Sequence, residues 1–169
     1  PRPVHLSLPR DVLPEPAVGE WKMRRAPSLP MPDPAAIEEA ADVLASARRP
    51  LILAGGGAAG TSESLKQIAE FLGAPVLATN AGKGILPDSH PLSLGSSILQ
   101  RASQQALAEA DVVLLVGSEV SMGDHFLPKL EINGEIVRID IDPCELTSMY
   151  GAAVPIQADA RAAMAALAA

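Results

Sequence analysis

The chain has 169 residues, 48% of them hydrophobic, which is enough for one domain with its own core. Its four aromatic residues (Trp21, Phe71, Phe126 and Tyr150) and formal net charge of −7 exclude stacking-based and phosphate-backbone binding of nucleic acid. The single cysteine, Cys144, excludes a disulfide framework, and no apolar run approaches the ~20 residues of a membrane span, so a reduced, cytoplasmic setting is expected.

Val4-His-Leu-Ser-Leu8 reads as a strand. A chain that opens at Pro1 inside such a run reads as a piece of a longer polypeptide, so residues 1–8 are expected to be the tail of a preceding domain. Seven of the sixteen prolines fall between residues 9 and 34, a density that excludes helix and central strand. Residues 9–32 are therefore expected to be a linker. Within it, Trp21-Lys-Met-Arg-Arg25 can dock on a neighbour or simply be solvated. Residues 33–169 are expected to form the domain that follows the linker. Asp33-Pro34 predicts a helix start, and Ile37, Ala40, Ala41, Leu44 and Ala47 line one face of about four turns.

Pro50–Ala54 is a short buried strand that runs into Gly55-Gly-Gly-Ala-Ala-Gly60, a literal G-x-G-x-x-G. A helix through Leu65, Ile68, Ala69 and Leu72 follows, ended by Gly73. The second strand, Val76–Ala78, leads to Thr79-Asn80, where a standard NAD site would place an acid for the ribose. Residues 80–97 read as one long loop. Leu99, Ala102, Ala106 and Ala110 mark a third helix. Asp111–Gly117 is the most apolar strand and is expected to be central and parallel. Glu135–Asp142 is the next strand, stopped by Pro143. Residues 153–156 form a short edge strand, and Asp159 caps a last helix through Ala163, Met164 and Leu167. Strand and helix alternate throughout, which predicts a doubly wound α/β fold: a mainly parallel sheet with helices on both faces, Rossmann-like.

In such a sheet, ligands sit beyond the carboxyl ends of the strands. Those ends are Gly55, Gly56 and Gly57; Thr79 and Asn80; Gly117-Ser-Glu119; and Asp140-Ile141-Asp142. Glycines there suit a nucleotide cleft, and tight strand-to-helix turns require them equally. Catalytic patterns are missing. His5, His90 and His125 are scattered, no G-x-S-x-G elbow occurs, and acidic neighbours leave Cys144 unactivated. Asp124-His125 beside Glu119 lacks a second histidine at ligand spacing, so no metal site is expected.

The segments Arg49-Pro-Leu-Ile-Leu-Ala-Gly-Gly-Gly57, Gly82-Lys-Gly-Ile-Leu-Pro-Asp-Ser-His-Pro-Leu-Ser-Leu-Gly95, Ala110-Asp-Val-Val-Leu-Leu-Val-Gly117 and Arg138-Ile-Asp-Ile-Asp-Pro143 occur in that order. Together they resemble the central domain of thiamine-diphosphate-dependent enzymes of the acetolactate synthase and benzoylformate decarboxylase type. The resemblance implies two further domains, pyrimidine-binding and diphosphate-binding, in a homodimer or homotetramer. Thiamine diphosphate and Mg2+ would bind there, outside this chain, so the chain alone would not turn over a 2-oxo acid. In this family the central domain holds FAD in some members, ADP in others and nothing in the rest. Gly55–Gly57, Thr79, Gly117, Asp140, Ile141, Glu145 and Asp159 match the FAD pattern. Two loops depart from it: Ile98-Leu-Gln-Arg101 replaces a Gly-Met-His-Gly segment, and Glu119 stands where an arginine is expected. A carboxylate there repels a diphosphate, which disfavours FAD. Three readings follow: a scaffold with an empty cleft, a module holding ADP, CoA or FAD, and an NAD oxidoreductase, the last disfavoured by Thr79-Asn80.

Overall fold

The computed structural model describes residues 5–20, 22–23 and 25–169. The expected first strand lies partly outside these, and His5–Leu8 is exposed without strand structure. The regular fold starts where Asp33 caps α1 (Pro34–Ser46), its carboxylate accepting from the Ala35 N–H at 3.1 Å. There follow β1 (Pro50–Ala54), α2 (Ser62–Leu72), β2 (Val76–Ala78), β3 (Ser93–Gly95), α3 (Arg101–Glu109) and β4 (Val112–Val116). The chain continues through α4 (Met122–His125), β5 (Glu135–Asp140), α5 (Pro143–Leu146), β6 (Val154–Gln157) and α6 (Ala160–Leu167).

The six strands are all parallel, in the order β3-β2-β1-β4-β5-β6. The chain fills one half of the sheet outward from β1 and then returns to fill the other from β4, so the winding reverses between β1 and β4. Alternation along the strands builds a core on each face. Ile52, Leu114, Val116 and Ile139 pack with α1, α2 and α6, while Leu53, Val113, Leu115 and Ile136 pack with Leu107 of α3 and with Leu130 and Tyr150. This is the doubly wound sandwich that the alternation predicts.

Residues 80–97 are not one uninterrupted loop: Asn80–Gly82 is a 3-10 turn, and Ser93–Gly95 pairs with β2 as an edge strand. Three residues of Ser, Leu and Gly are too short to show a period. Pro143 opens a short helix, α5, whose N-cap is Asp142, so Asp142 lies beyond the strand that was expected to include it. At the other edge, β6 contains Pro155, which supplies no N–H. Two ties close the domain. The Asp111 carboxylate, at the foot of β4, accepts from the backbone N–H groups of Arg48 and Arg49 at 2.8 and 2.9 Å. The Asp159 N–H donates to the Pro30 carbonyl at 2.9 Å, which anchors the end of the proline-rich stretch at the start of α6.

Candidate functional site

The carboxyl ends of β1, β2, β4, β5 and β6 form one edge, and the sequence candidates gather along it. The glycines after β1 are set by backbone contact. Gly57 N–H donates to the Gly117 carbonyl at 2.9 Å, and Gly55 N–H donates to the Val116 carbonyl at 2.9 Å. A Cβ on Gly57 would lie 2.9 Å from the Gly117 Cα, and one on Gly55 would strike the Gly117 carbonyl and Ser118. Gly117 itself has φ 55 and needs glycine on that ground as well. The two loops at the point of reversal thus form a closed glycine seam. The Gly55 and Gly57 N–H groups are already donated across or below it.

The remaining candidates hold local turns. Thr79 donates its N–H to the Ala54 carbonyl, and its Oγ1 accepts from the Gly82 N–H at 3.3 Å; Asn80 beside it is exposed. Asp140 is buried, and its Oδ1 accepts from the Asp142 N–H at 3.0 Å. Ile141, between them, is partly exposed. Asp159 caps α6, accepting from the Arg161 and Ala162 N–H groups. Glu145 accepts from Arg138 at 3.0 Å. Asp140, Glu145 and Asp159 therefore already hold backbone or a cation, an arrangement that does not fit a magnesium ion. Among the described residues no group of three or more His, Cys, Asp and Glu is placed to hold a metal.

Arg138 was not foreseen as part of this edge. It sits in β5 with 0% of its side chain exposed. Its guanidinium donates to the carbonyls of Ser118 (2.8 Å) and Tyr150 (3.0 Å), to Ser148 Oγ (2.9 Å) and to Glu145. It thereby joins the loop after β4 to α5 and to the segment before β6. The signal was present, since a charge in the apolar run Ile136-Val-Arg-Ile139 must find partners once buried. Gly82 is also missed: a Cβ there would strike the Ala54 carbonyl, so it completes the seam from the β2 side.

His90 and His125 each hold a local turn. His90 Nδ1 accepts from the Leu92 N–H at 3.2 Å, which puts the proton of the neutral ring on Nε2, facing Glu70 Oε1 at 3.2 Å. His125 is buried, and its Nδ1 accepts from the Leu127 N–H at 3.1 Å. A concavity lies away from this edge. An apolar groove of about 510 Å3, lined by Leu44, Ile68, Phe71, Leu72 and Leu167, is formed by the C-terminal halves of α1, α2 and α6. The C-terminal ends of α1 and α2 lead into the amino ends of β1 and β2, so the groove opens at the opposite end from the glycine seam. No helix among the described residues is long and apolar enough to cross a membrane.

Residues 37–167 match the family model described as "Thiamine pyrophosphate enzyme, central domain". The chain is 42% identical over 169 residues to "Probable 2-ketoarginine decarboxylase AruI" of Pseudomonas aeruginosa, covering 99% of this chain and 30% of that protein. It is 38% identical over 181 residues to "Probable acetolactate synthase large subunit" of Methanocaldococcus jannaschii, covering 95% of this chain and 29% of that one. The crystal structure of benzoylformate decarboxylase from Polynucleobacter necessarius shares the fold, with a TM-score of 0.70 at 20% identity over 91% of this chain and 30% of that chain. The chain thus spans about a third of the length of the curated relatives it matches. With a family model matched over most of its length, the chain belongs to the thiamine-pyrophosphate enzymes, as their central domain.

Proposed function

We propose that this domain is the scaffold of a longer thiamine-diphosphate-dependent decarboxylase or carboligase acting on 2-oxo acids, without chemistry of its own. Pyrimidine-binding and diphosphate-binding domains of the same polypeptide would hold thiamine diphosphate and Mg2+, in a cytoplasmic homodimer or homotetramer. Residues 1–8 would end the first of these domains, and residues 9–32 would link it to this one. The observation that carries the scaffold reading is the glycine seam. Gly55 and Gly57 direct their N–H groups at the β4 strand and its loop, so the motif braces the point of reversal instead of presenting donors to a phosphate. Glu119 on the same loop adds a negative charge.

A second reading has one observation in its favour: Gly55–Gly57, Thr79, Asn80, Gly117, Asp140, Ile141 and Asp159 all stand at one sheet edge. There they would hold ADP, CoA or FAD non-catalytically. Thermal denaturation of the chain with ADP, CoA, FAD and NAD separates the two. The scaffold reading expects no shift. A nucleotide at 100 times its dissociation constant would add about 2.7 kcal/mol, and a shift of that size would replace the scaffold by the binding module.

A further inference from the structure

Among the described residues, only Val120 (φ 48) and Phe126 (φ 53) are non-glycine residues in the left-handed region. The buried side-chain polar atoms without a partner among the described residues are His125 Nε2 and Arg138 Nε. All four features fall in one place, the segment from Ser118 to Phe126 and the arginine beneath it. A β-branched residue at positive φ is a steric outlier. Such strain persists only where the surroundings impose it, and a buried donor without an acceptor adds to its cost. The restraints can be named. Arg138 grips the Ser118 carbonyl at 2.8 Å, Ser118 Oγ accepts from the Val120 N–H at 3.0 Å, and the Val120 side chain is buried in the core with Leu115 and Leu130. Above them, Met122 and Phe126 are largely exposed and gain little from the closed state.

We propose that Ser118–Phe126 is a two-state flap at the carboxyl edge of the sheet, held shut by Arg138 and by burial of Val120. Its ends are Gly117, which already has φ 55, and Phe126. Opening returns Val120 and Phe126 to ordinary backbone conformations and lets water reach His125 Nε2. It uncovers the Gly117 side of the seam while leaving β4 and β5 paired.

Amide hydrogen exchange of the 169-residue chain tests this. The reporters are Val120 and Leu127, whose N–H groups bond to Ser118 Oγ and His125 Nδ1; the references are Leu114 and Leu115 of β4. The reporters should exchange by local opening, roughly 100-fold or more faster than the references. Phe126→Asn tolerates the left-handed conformation and should slow the reporters about fivefold, whereas Phe126→Ala keeps the Cβ penalty and should not. Rates at β4 should stay constant in both variants. Reporters that exchange at the β4 rate, or that respond equally to Asn and Ala, would overturn the flap.

Discussion

Arg138 lies on the same face of β5 as Ile136, and its charge is tolerated only because four acceptors surround the guanidinium. Removing the anionic one leaves a buried cation short of a partner. Glu145→Ala is therefore expected to cost about 3–5 kcal/mol in urea denaturation, and Glu145→Gln, which keeps an acceptor oxygen, to cost less. Asp111 shows a different use of charge. The Arg48 N–H leads the interactions that hold its carboxyl below the ordinary value of 3.8, and the Arg49 N–H adds to it. Since the folded state depresses this carboxyl, the stabilisation is full above the ordinary value and fades as the pH falls below about 3.8 through the lower folded value. Asp111→Asn should therefore remove part of the acid sensitivity, seen as a shallower fall in the urea midpoint between about pH 4 and pH 2.5.

At the scale of elements, the glycine seam decides how β1 and β4 can sit together. Strands in a sheet are about 4.8 Å apart, and the loops leaving these two must also pass each other at backbone contact. A methyl on Gly57 lands 2.9 Å from Gly117 Cα, and one on Gly117 lands 2.5 Å from the Gly57 carbonyl carbon. Gly57→Ala should destabilise by about 1–3 kcal/mol, as overpacking does. Gly117→Ala should cost more, because it adds a left-handed penalty to the clash. Chemical denaturation of the two variants checks the order. The spacing G-x-G-x-x-G reports that backbone must come close to something at these positions, and here that something is the neighbouring loop.

For the whole molecule, the architecture was legible because periodicity is a property of each segment. The stripe from Ile37 to Ala47, the uniform run Val112–Val116 and the caps at Asp33 and Asp159 each point to their own element. What was hidden needed a partner to become visible. Residues 93–95 become a strand only by pairing with β2, and the 3-10 turn at residues 80–82 depends on the Thr79 side chain. The placing of candidates at one edge followed from topology. Their contacts did not: the side-chain turns at Thr79, Asp140 and Asp159 span two or three residues but need the folded backbone to form, and Arg138 meets the Ser118 carbonyl 20 residues away. Val120 is the clearest case: nothing in Ser118-Glu-Val-Ser121 announces a positive φ.

The two margins of the sheet have a colloidal consequence. A flat outer strand with a continuous row of free amides would template a further strand from another copy. Here one margin is the three-residue β3, with its register shifted between Val76 and Leu77, and the other is β6, whose amide row is interrupted at Pro155. Neither offers an uninterrupted ladder. Crowded copies of this domain would therefore meet through side chains, leaving the backbone closed to fibril growth.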